Sequence, residues 1–321
     1  MTGRRPVVVA LGAVDPVLVT GALGDGVEFV ARPGPDDLAV AEGAIVRADA
    51  VVGADLLARA PRLRVLARTG VGVDLVDLGE AGARGIAVVV TPGAGTRAVA
   101  EGVLAHALHL VKRLAPLTRL VRDGGWAERG RIPVGDLDGA TIGIIGYGRI
   151  GRRVGELAGA FGMRVRAHDP VSPPPAGIDC PDLGELAGAS DVLTLHAPLT
   201  GATRHLVDAA LLRRVRPGTV LVNCGRGGLL DLDAALAALE SGRLGGIGLD
   251  VFDPEPPPHH PLFDHPDVVL TPHLMGLTRG ATAATFAAAA RGVTDVLAGR
   301  RPAALANPDW IPAGPASDEE A

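Results

Sequence analysis

The sequence predicts an α/β protein built from two parallel-sheet domains, and three observations point there. Short Val-rich apolar runs alternate with helical stretches from residue 7 to 90, a long apolar-periodic segment interrupts them at 96–121, and a second strand–helix series begins at 140. Strands joined through helices pair in parallel and are covered on both faces. At 321 residues the chain exceeds one small core, which suits two domains.

In the first series, residues 7–11, 27–30, 44–46, 50–52, 63–67 and 86–90 read as buried strands bounded by Gly, Pro or Asp. Residues 37–41, 54–60 and 74–83 read as the helices between them. In the long segment, Val99, Val103, Ala107, Leu110, Leu114 and Leu117 recur on one helical face. Thr96 suits the N-cap, Glu101 favours the helix dipole, and Pro116 marks a kink or a break. Gly124-Gly125-Trp126 ends the helical region. The second series has strands at 141–145, 164–168, 192–196, 220–223, 246–250 and 268–270. An alanine-rich helix at 278–298 leads to a tail, 315–321, expected to fray.

Composition excludes several classes. Hydrophobic residues make up 47% and charged residues 21%, ordinary for a soluble globular protein. A net charge of −5, with Lys112 the only lysine and the arginines scattered, gives no basic tract for nucleic acid or an acidic membrane. Cys180 and Cys224 are too few for a disulfide framework or a structural zinc site, and Cys224 reads as a buried inert thiol. No metal site is expected. The N-terminal apolar run is too short for a signal peptide and nothing reaches the length of a membrane span, so a cytoplasmic protein is expected.

The segment Gly146-Tyr147-Gly148-Arg149-Ile150-Gly151 follows a strand and opens a helix, the context a dinucleotide fingerprint requires. The first glycine makes the tight turn, the second admits pyrophosphate to the backbone, and the third lets helix pack on strand. The N–H groups at the helix start, around Arg149 and Ile150, face the phosphates. Asp169 closes the next strand 18 residues past Gly151 (169 − 151). A carboxylate there accepts hydrogen bonds from the ribose hydroxyls and repels a 2′-phosphate, which favours NAD over NADP.

Three later strands each end in polar residues, where open αβ sheets bind ligands. Their ends read Asn223-Cys224-Gly225-Arg226-Gly227, Leu249-Asp250-Val251-Phe252-Asp253-Pro254-Glu255-Pro256 and Thr271-Pro272-His273. With His196-Ala197-Pro198-Leu199-Thr200 and Arg68-Thr69-Gly70-Val71-Gly72-Val73-Asp74, this ordered series resembles the D-isomer-specific 2-hydroxyacid dehydrogenases. That family includes phosphoglycerate dehydrogenase and the glyoxylate/hydroxypyruvate reductases. The resemblance runs from about residue 44 to 308.

The resemblance implies an NAD-dependent enzyme acting on a small 2-hydroxy or 2-keto acid, and a homodimer with the 96–121 segment in its interface. Arg226 would bind the substrate carboxylate and C2 oxygen. His273 would exchange a proton with that oxygen, and Glu255 would orient the imidazole and stabilise its cation. Asp250 would contact the nicotinamide carboxamide, His196 and Pro198 would line the cofactor site, and the Arg68 loop would offer N–H groups of Val71 and Gly72 to the carboxylate. The expected fold is two Rossmann-like/flavodoxin-like parallel-sheet domains, the first discontinuous. Residues 1–96 plus 290–321 would form the substrate-binding domain and 97–289 the NAD-binding domain, with two crossings that predict hinge closure.

Two positions depart from the family pattern. Gly95-Thr96-Arg97 stands where the family has Pro-Gly-x-Asn-Ser/Thr, and Met275 stands where it has a small residue, so a narrowed or reshaped substrate pocket is expected. The sequence also has no room for the C-terminal regulatory domain of some phosphoglycerate dehydrogenases. Two alternatives share the scaffold: an NAD(H)-sensing protein similar to dehydrogenase-like corepressors, and a phosphite-type dehydrogenase. Formate-using relatives carry Gln where this chain has Glu255, so the acid favours a carbonyl/alcohol couple.

Overall fold

A computed structural model describes residues 4–179 and 181–312; Cys180 and the tail at 315–321 lie outside the described residues. The chain divides into two compact units, residues 1–95 with 279–321, and residues 96–278.

The first unit opens with β1 (Val7–Leu11), α1 (Pro16–Leu23), β2 (Glu28–Val30), α2 (Pro35–Val40) and β3 (Ala41–Val46). It continues with α3 (Ala54–Arg59), β4 (Val65–Arg68), α4 (Leu78–Ala83) and β5 (Ala87–Val89). The strands form a parallel sheet in the order β2-β1-β3-β4-β5, the flavodoxin-like arrangement. Successive side chains point to opposite faces, so Val7 and Val9 join Leu38, Leu57 and Ala81 on one side. Val8 joins Val19, Leu23, Phe286 and Val293 on the other.

Three expectations change here. Residues 50–52 form no strand; only Val52 bridges Val76. Ala41 begins β3 instead of closing a helix, because it pairs with Val7 of β1 and is buried in the sheet's core. β2 is an edge strand with Glu28 exposed, not a buried one.

The second unit opens with α5 (Thr96–Val111) and α6 (Leu114–Arg122), then β6 (Thr141–Ile145), α7 (Arg149–Ala160), β7 (Arg164–His168), α8 (Leu183–Ala189) and β8 (Val192–Leu195). It closes with α9 (Ala209–Leu212), β9 (Thr219–Asn223), α10 (Leu232–Glu240), β10 (Leu244–Leu249) and β11 (Val268–Leu270). The helical segment breaks at Arg113, in the left-handed region at φ 53°, and not at Pro116. Pro116 is the third residue of α6, where no backbone N–H is needed.

The parallel sheet runs β11-β10-β9-β8-β6-β7, with Arg166 of β7 making a single further bridge to Asp179. This is the dinucleotide-fold order with one outer strand reduced to a bridge, and its direction switches between β6 and β8. α5 and α7 cover one face through Val103, Ala107, Leu110 and Val154. α8, α9 and α10 cover the other through Leu186, Leu211 and Ala235.

The last helix, α11 (Arg279–Leu297), returns to the first unit. A return at residue 290 would cut this helix. Phe286 and Ala289 already lie in the first unit's core with Val293 and Val296, so the whole helix belongs there. Among the described residues no helix is long and apolar enough to cross a membrane.

Candidate active site

The glycine fingerprint sits at the switch point of the second sheet. Gly146 has φ 93°, and a Cβ on it would lie 2.5 Å from the Ala197 backbone nitrogen, so the β6 and β8 ends pass in backbone contact. A Cβ on Gly151 would strike the Gly146 carbonyl oxygen, which seats α7 against its strand. Gly148 differs. It caps α7, and nothing lies within 4 Å of its missing Cβ. The open side, the helix N-terminus and the tight turn together make a cradle that fits a pyrophosphate.

Asp169 closes β7. Its Oδ2 accepts the Tyr147 N–H at 2.7 Å, and its Oδ1 accepts those of Val171 at 2.9 Å and Ser172 at 2.7 Å. Partial burial opposes ionisation, but these three N–H donors outweigh it and hold the carboxyl below its ordinary value. The nearby arginines are occupied. Arg166 bonds Asp179 at 2.6 Å and Glu185 at 2.9 Å, and Arg164 reaches the Thr141 hydroxyl at 3.3 Å. Across the switch point, His196 Nε2 meets the Thr194 hydroxyl at 2.9 Å, while its Nδ1 is buried with no partner among the described residues. Burial pushes His196 down to about 3, so the ring is neutral at physiological pH. An unsatisfied buried ring nitrogen beside the glycine turn is a second feature that fits a polar cofactor. Pro198 is exposed, and its carbonyl accepts from the Thr203 hydroxyl at 2.6 Å.

Sheet register assembles the other strand ends. Leu249, the last residue of β10, pairs with Asn223 at the end of β9 and with Leu270 at the end of β11. Neighbouring strands lie about 4.8 Å apart, so the loops carrying Arg226, Glu255 and His273 leave the sheet side by side. In the β9 loop, the Asn223 amide donates to the Arg226 carbonyl at 2.9 Å and its oxygen accepts the Gly225 N–H at 3.0 Å. The Arg226 guanidinium donates to the Gly225 carbonyl at 2.8 Å. A Cβ on Gly227 would overlap the Phe252 carbonyl, so this loop lies directly on the β10 loop.

The β10 loop is held by Asp253 paired with Arg204 at 2.8 Å and by Phe252 edge-on to Phe263, ring centres 5.6 Å apart. Glu255 Oε1 accepts the Phe252 N–H at 2.9 Å, and its Oε2 meets His273 Nδ1 at 2.7 Å. With Nδ1–H committed to the carboxylate, Nε2 is the nitrogen that carries the transferable proton. His273 has φ 55°, a left-handed conformation that costs a non-glycine residue about 1–2 kcal/mol.

Asp250 secures that conformation. It is 2% exposed, and its carboxylate accepts from the Thr271 hydroxyl at 2.7 Å and from the N–H groups of Leu274 at 2.9 Å and Met275 at 3.1 Å. Those bonds bracket His273. Thr271 in turn meets His106 Nε2 at 3.3 Å. Neither His106 nor Thr271 is assigned a role by sequence, although His106 falls on the buried 103–107–110 stripe of α5, where a polar residue is itself a signal. Met275 lies against the same helix. Its side chain packs where Gly102 of α5 has no Cβ, 2.5 Å from that position at Sδ, and so it fills the helix side. Cys224 is buried and free, and burial, with the Asp250 charge, pushes its thiol up.

The remaining candidates belong to the first unit. Arg68 is 5% exposed, and its guanidinium donates to the Gly72 carbonyl at 2.8 Å and to the Arg47 carbonyl. Those bonds shape its own loop. Val71 is 54% exposed and Gly72 half-buried, which leaves the middle of the loop presented outward. Among the described residues no cluster of His, Cys, Asp and Glu could hold a metal ion.

Residues 104–275 match the family model described as D-isomer specific 2-hydroxyacid dehydrogenase, NAD binding domain. The chain belongs to that family. Its NAD-binding domain therefore falls within the second unit, with the glycine cradle. D-3-phosphoglycerate dehydrogenase of Mycobacterium tuberculosis is 38% identical over 304 residues, 92% of this chain and 57% of that protein. The chain thus spans little more than half the length of the curated relatives it matches. Among solved structures, a Sinorhizobium meliloti NADPH-dependent glyoxylate/hydroxypyruvate reductase is 30% identical with a TM-score of 0.85, covering 95% of this chain and 99% of that one. D-lactate dehydrogenase of Aquifex aeolicus, solved with NAD and lactic acid, is 29% identical with a TM-score of 0.80, covering 91% and 96%.

Proposed function

We propose that this protein interconverts a small D-2-hydroxy acid and its 2-keto acid with NAD. The observation that carries the proposal is the Glu255–His273 pair at 2.7 Å, set on a strand end in register with the one that leads to Arg226. A bound nicotinamide supplies or accepts the hydride. The chain's own residues do the rest. Arg226 grips the carboxylate and the C2 oxygen through its planar fork. His273 Nε2 gives a proton to that oxygen in reduction and takes it in oxidation, while Glu255 keeps the proton-bearing tautomer in place and stabilises the imidazolium. Phosphoglycerate, glyoxylate, hydroxypyruvate and lactate, named for the relatives, share this 2-hydroxy or 2-keto acid core.

NAD is the preferred cofactor, because Asp169 meets the ribose while Arg166 is held by Asp179 and Glu185, away from any 2′-phosphate. The protein acts as a homodimer through the α6 region. α6 buries no residue of its own, and Leu114, Val121, Trp126 and Val134 are exposed in one stretch. The decisive experiment is a 2-keto acid panel with NADH and NADPH, followed by nicotinamide absorbance, with size measured by light scattering. Reduction of at least one acid, faster with NADH, is expected. No reduction of any acid with either cofactor overturns the proposal.

A further inference from the structure

We propose that α5 is the platform that positions His273, and that His106 and Gly102 are its two positioning residues. The proposal rests on His273 being the proton carrier of the reading above.

His106 lies one helical turn beyond Gly102, so both face the same way from α5. Both receive the segment 271–275. At the first point, Met275 occupies the space a Gly102 Cβ would fill, its Cβ 2.7 Å and its Sδ 2.5 Å from that position. At the second, His106 Nε2 stands 3.3 Å from the Thr271 hydroxyl. His273 lies between these two anchors, in its left-handed conformation.

The polarity of the second anchor follows from counting protons. The Thr271 hydroxyl donates its one hydrogen to Asp250 Oδ1 at 2.7 Å, so toward His106 it is an acceptor. His106 therefore donates from Nε2 and is the neutral tautomer with bare Nδ1, consistent with burial, which lowers its affinity for a proton despite Asp250. The facing groups are Asp250, His109 and the Gly248 backbone. Nδ1 has no hydrogen-bond partner among the described residues and rests against Gly248, where a Cβ would come within 2.6 Å. The strand thus makes room for an imidazole. The chain His106 N–H to Thr271 O–H to Asp250 ends on the carboxylate that also holds the Leu274 and Met275 N–H groups. A charge buried this deeply needs several donors, and a loosened Thr271 would free the residues that bracket His273.

The test combines 2-keto acid kinetics with NMR of the histidine rings in wild type, His106→Leu, His106→Gln, Gly102→Ala and Gly102→Ala/Met275→Ala. His106→Leu should lower kcat about 10-fold with KM unchanged, as expected for a displaced catalytic group. It should also move the His273 ring resonances and the pH profile of kcat. His106→Gln, which keeps a donor at the same reach, should restore all three. Gly102→Ala should lower kcat, and adding Met275→Ala should recover part of the loss, a coupling that independent sites do not show. Wild-type ring resonances and kcat in His106→Leu, or no rescue by Gln, overturn the proposal. If the wild type reduces no keto acid while the ring resonances still respond to His106→Leu and recover in Gln, positioning stands and the dehydrogenase reading falls. If His273→Ala abolishes turnover while His106→Leu changes nothing, the reading stands and the positioning falls.

Discussion

The two units use the same parallel αβ plan and spend their strand ends differently. In the first, the loop after β4 turns its one buried cation inward. Arg68 is consumed by the carbonyls of Gly72 and Arg47, and what the loop presents outward is backbone around the exposed Val71. In the second, Asn223, Asp250 and Thr271 brace the loops that carry Arg226 and His273, while Glu255 and His273 hold each other. Both arginines bond a carbonyl of their own loop, Arg68 that of Gly72 and Arg226 that of Gly225, so kinetics must separate a brace from a substrate ligand.

Four measurements sharpen or break that contrast. His273→Ala should reduce turnover by about 10²–10⁴-fold, the usual worth of a positioned general acid–base group; unchanged kcat on an active keto acid removes His273 from proton transfer. Arg226→Lys keeps the charge and loses the fork, and kcat/KM should fall about 10–100-fold, matching a charged hydrogen bond of about 1.5–3 kcal/mol. Wild-type kinetics there would make Arg226 a brace like Arg68.

The third concerns acid stability. His196 is neutral when folded, with its value lowered to about 3, and it charges near its ordinary 6.5 once unfolded. The unfolded state therefore binds more protons in that window. Stability is full above about pH 6.5 and declines as pH falls toward about 3, by up to about 1.4 kcal/mol per pH unit. Tm should fall on acidification from about pH 7 to about pH 5, and His196→Gln should flatten the slope; an identical slope in the variant removes His196 as its source. The smallest effect is expected in the first unit. Arg68→Lys loses part of a loop brace worth about 0.5–1.5 kcal/mol per hydrogen bond and should raise KM by less than about 10-fold. A loss as large as that of Arg226→Lys would place Arg68 on the substrate.

Much of this was readable beforehand for local reasons. The glycine fingerprint is legible because each glycine answers a short-range demand: a turn at Gly146, an open side at Gly148, a close crossing at Gly151. The strand runs are legible because both faces of each sheet are covered. Residues 50–52 misled because an apolar triplet resembles a strand whether or not a partner is available. Pro116 misled because its compatibility with a first helical turn depends on where the helix starts, which a left-handed Arg113 decided.

By itself the sequence determined the fold class and the family, since these follow from local patterns and ordered motifs. Only the tertiary structure decided that α11 belongs whole to the first unit, that Asp250 braces the His273 loop, and that Met275 turns onto Gly102. The physical reason is the same each time. A buried carboxylate, a left-handed histidine and a missing Cβ acquire meaning from what packs against them, and Gly102 and Met275 are 173 residues apart in the chain (275 − 102).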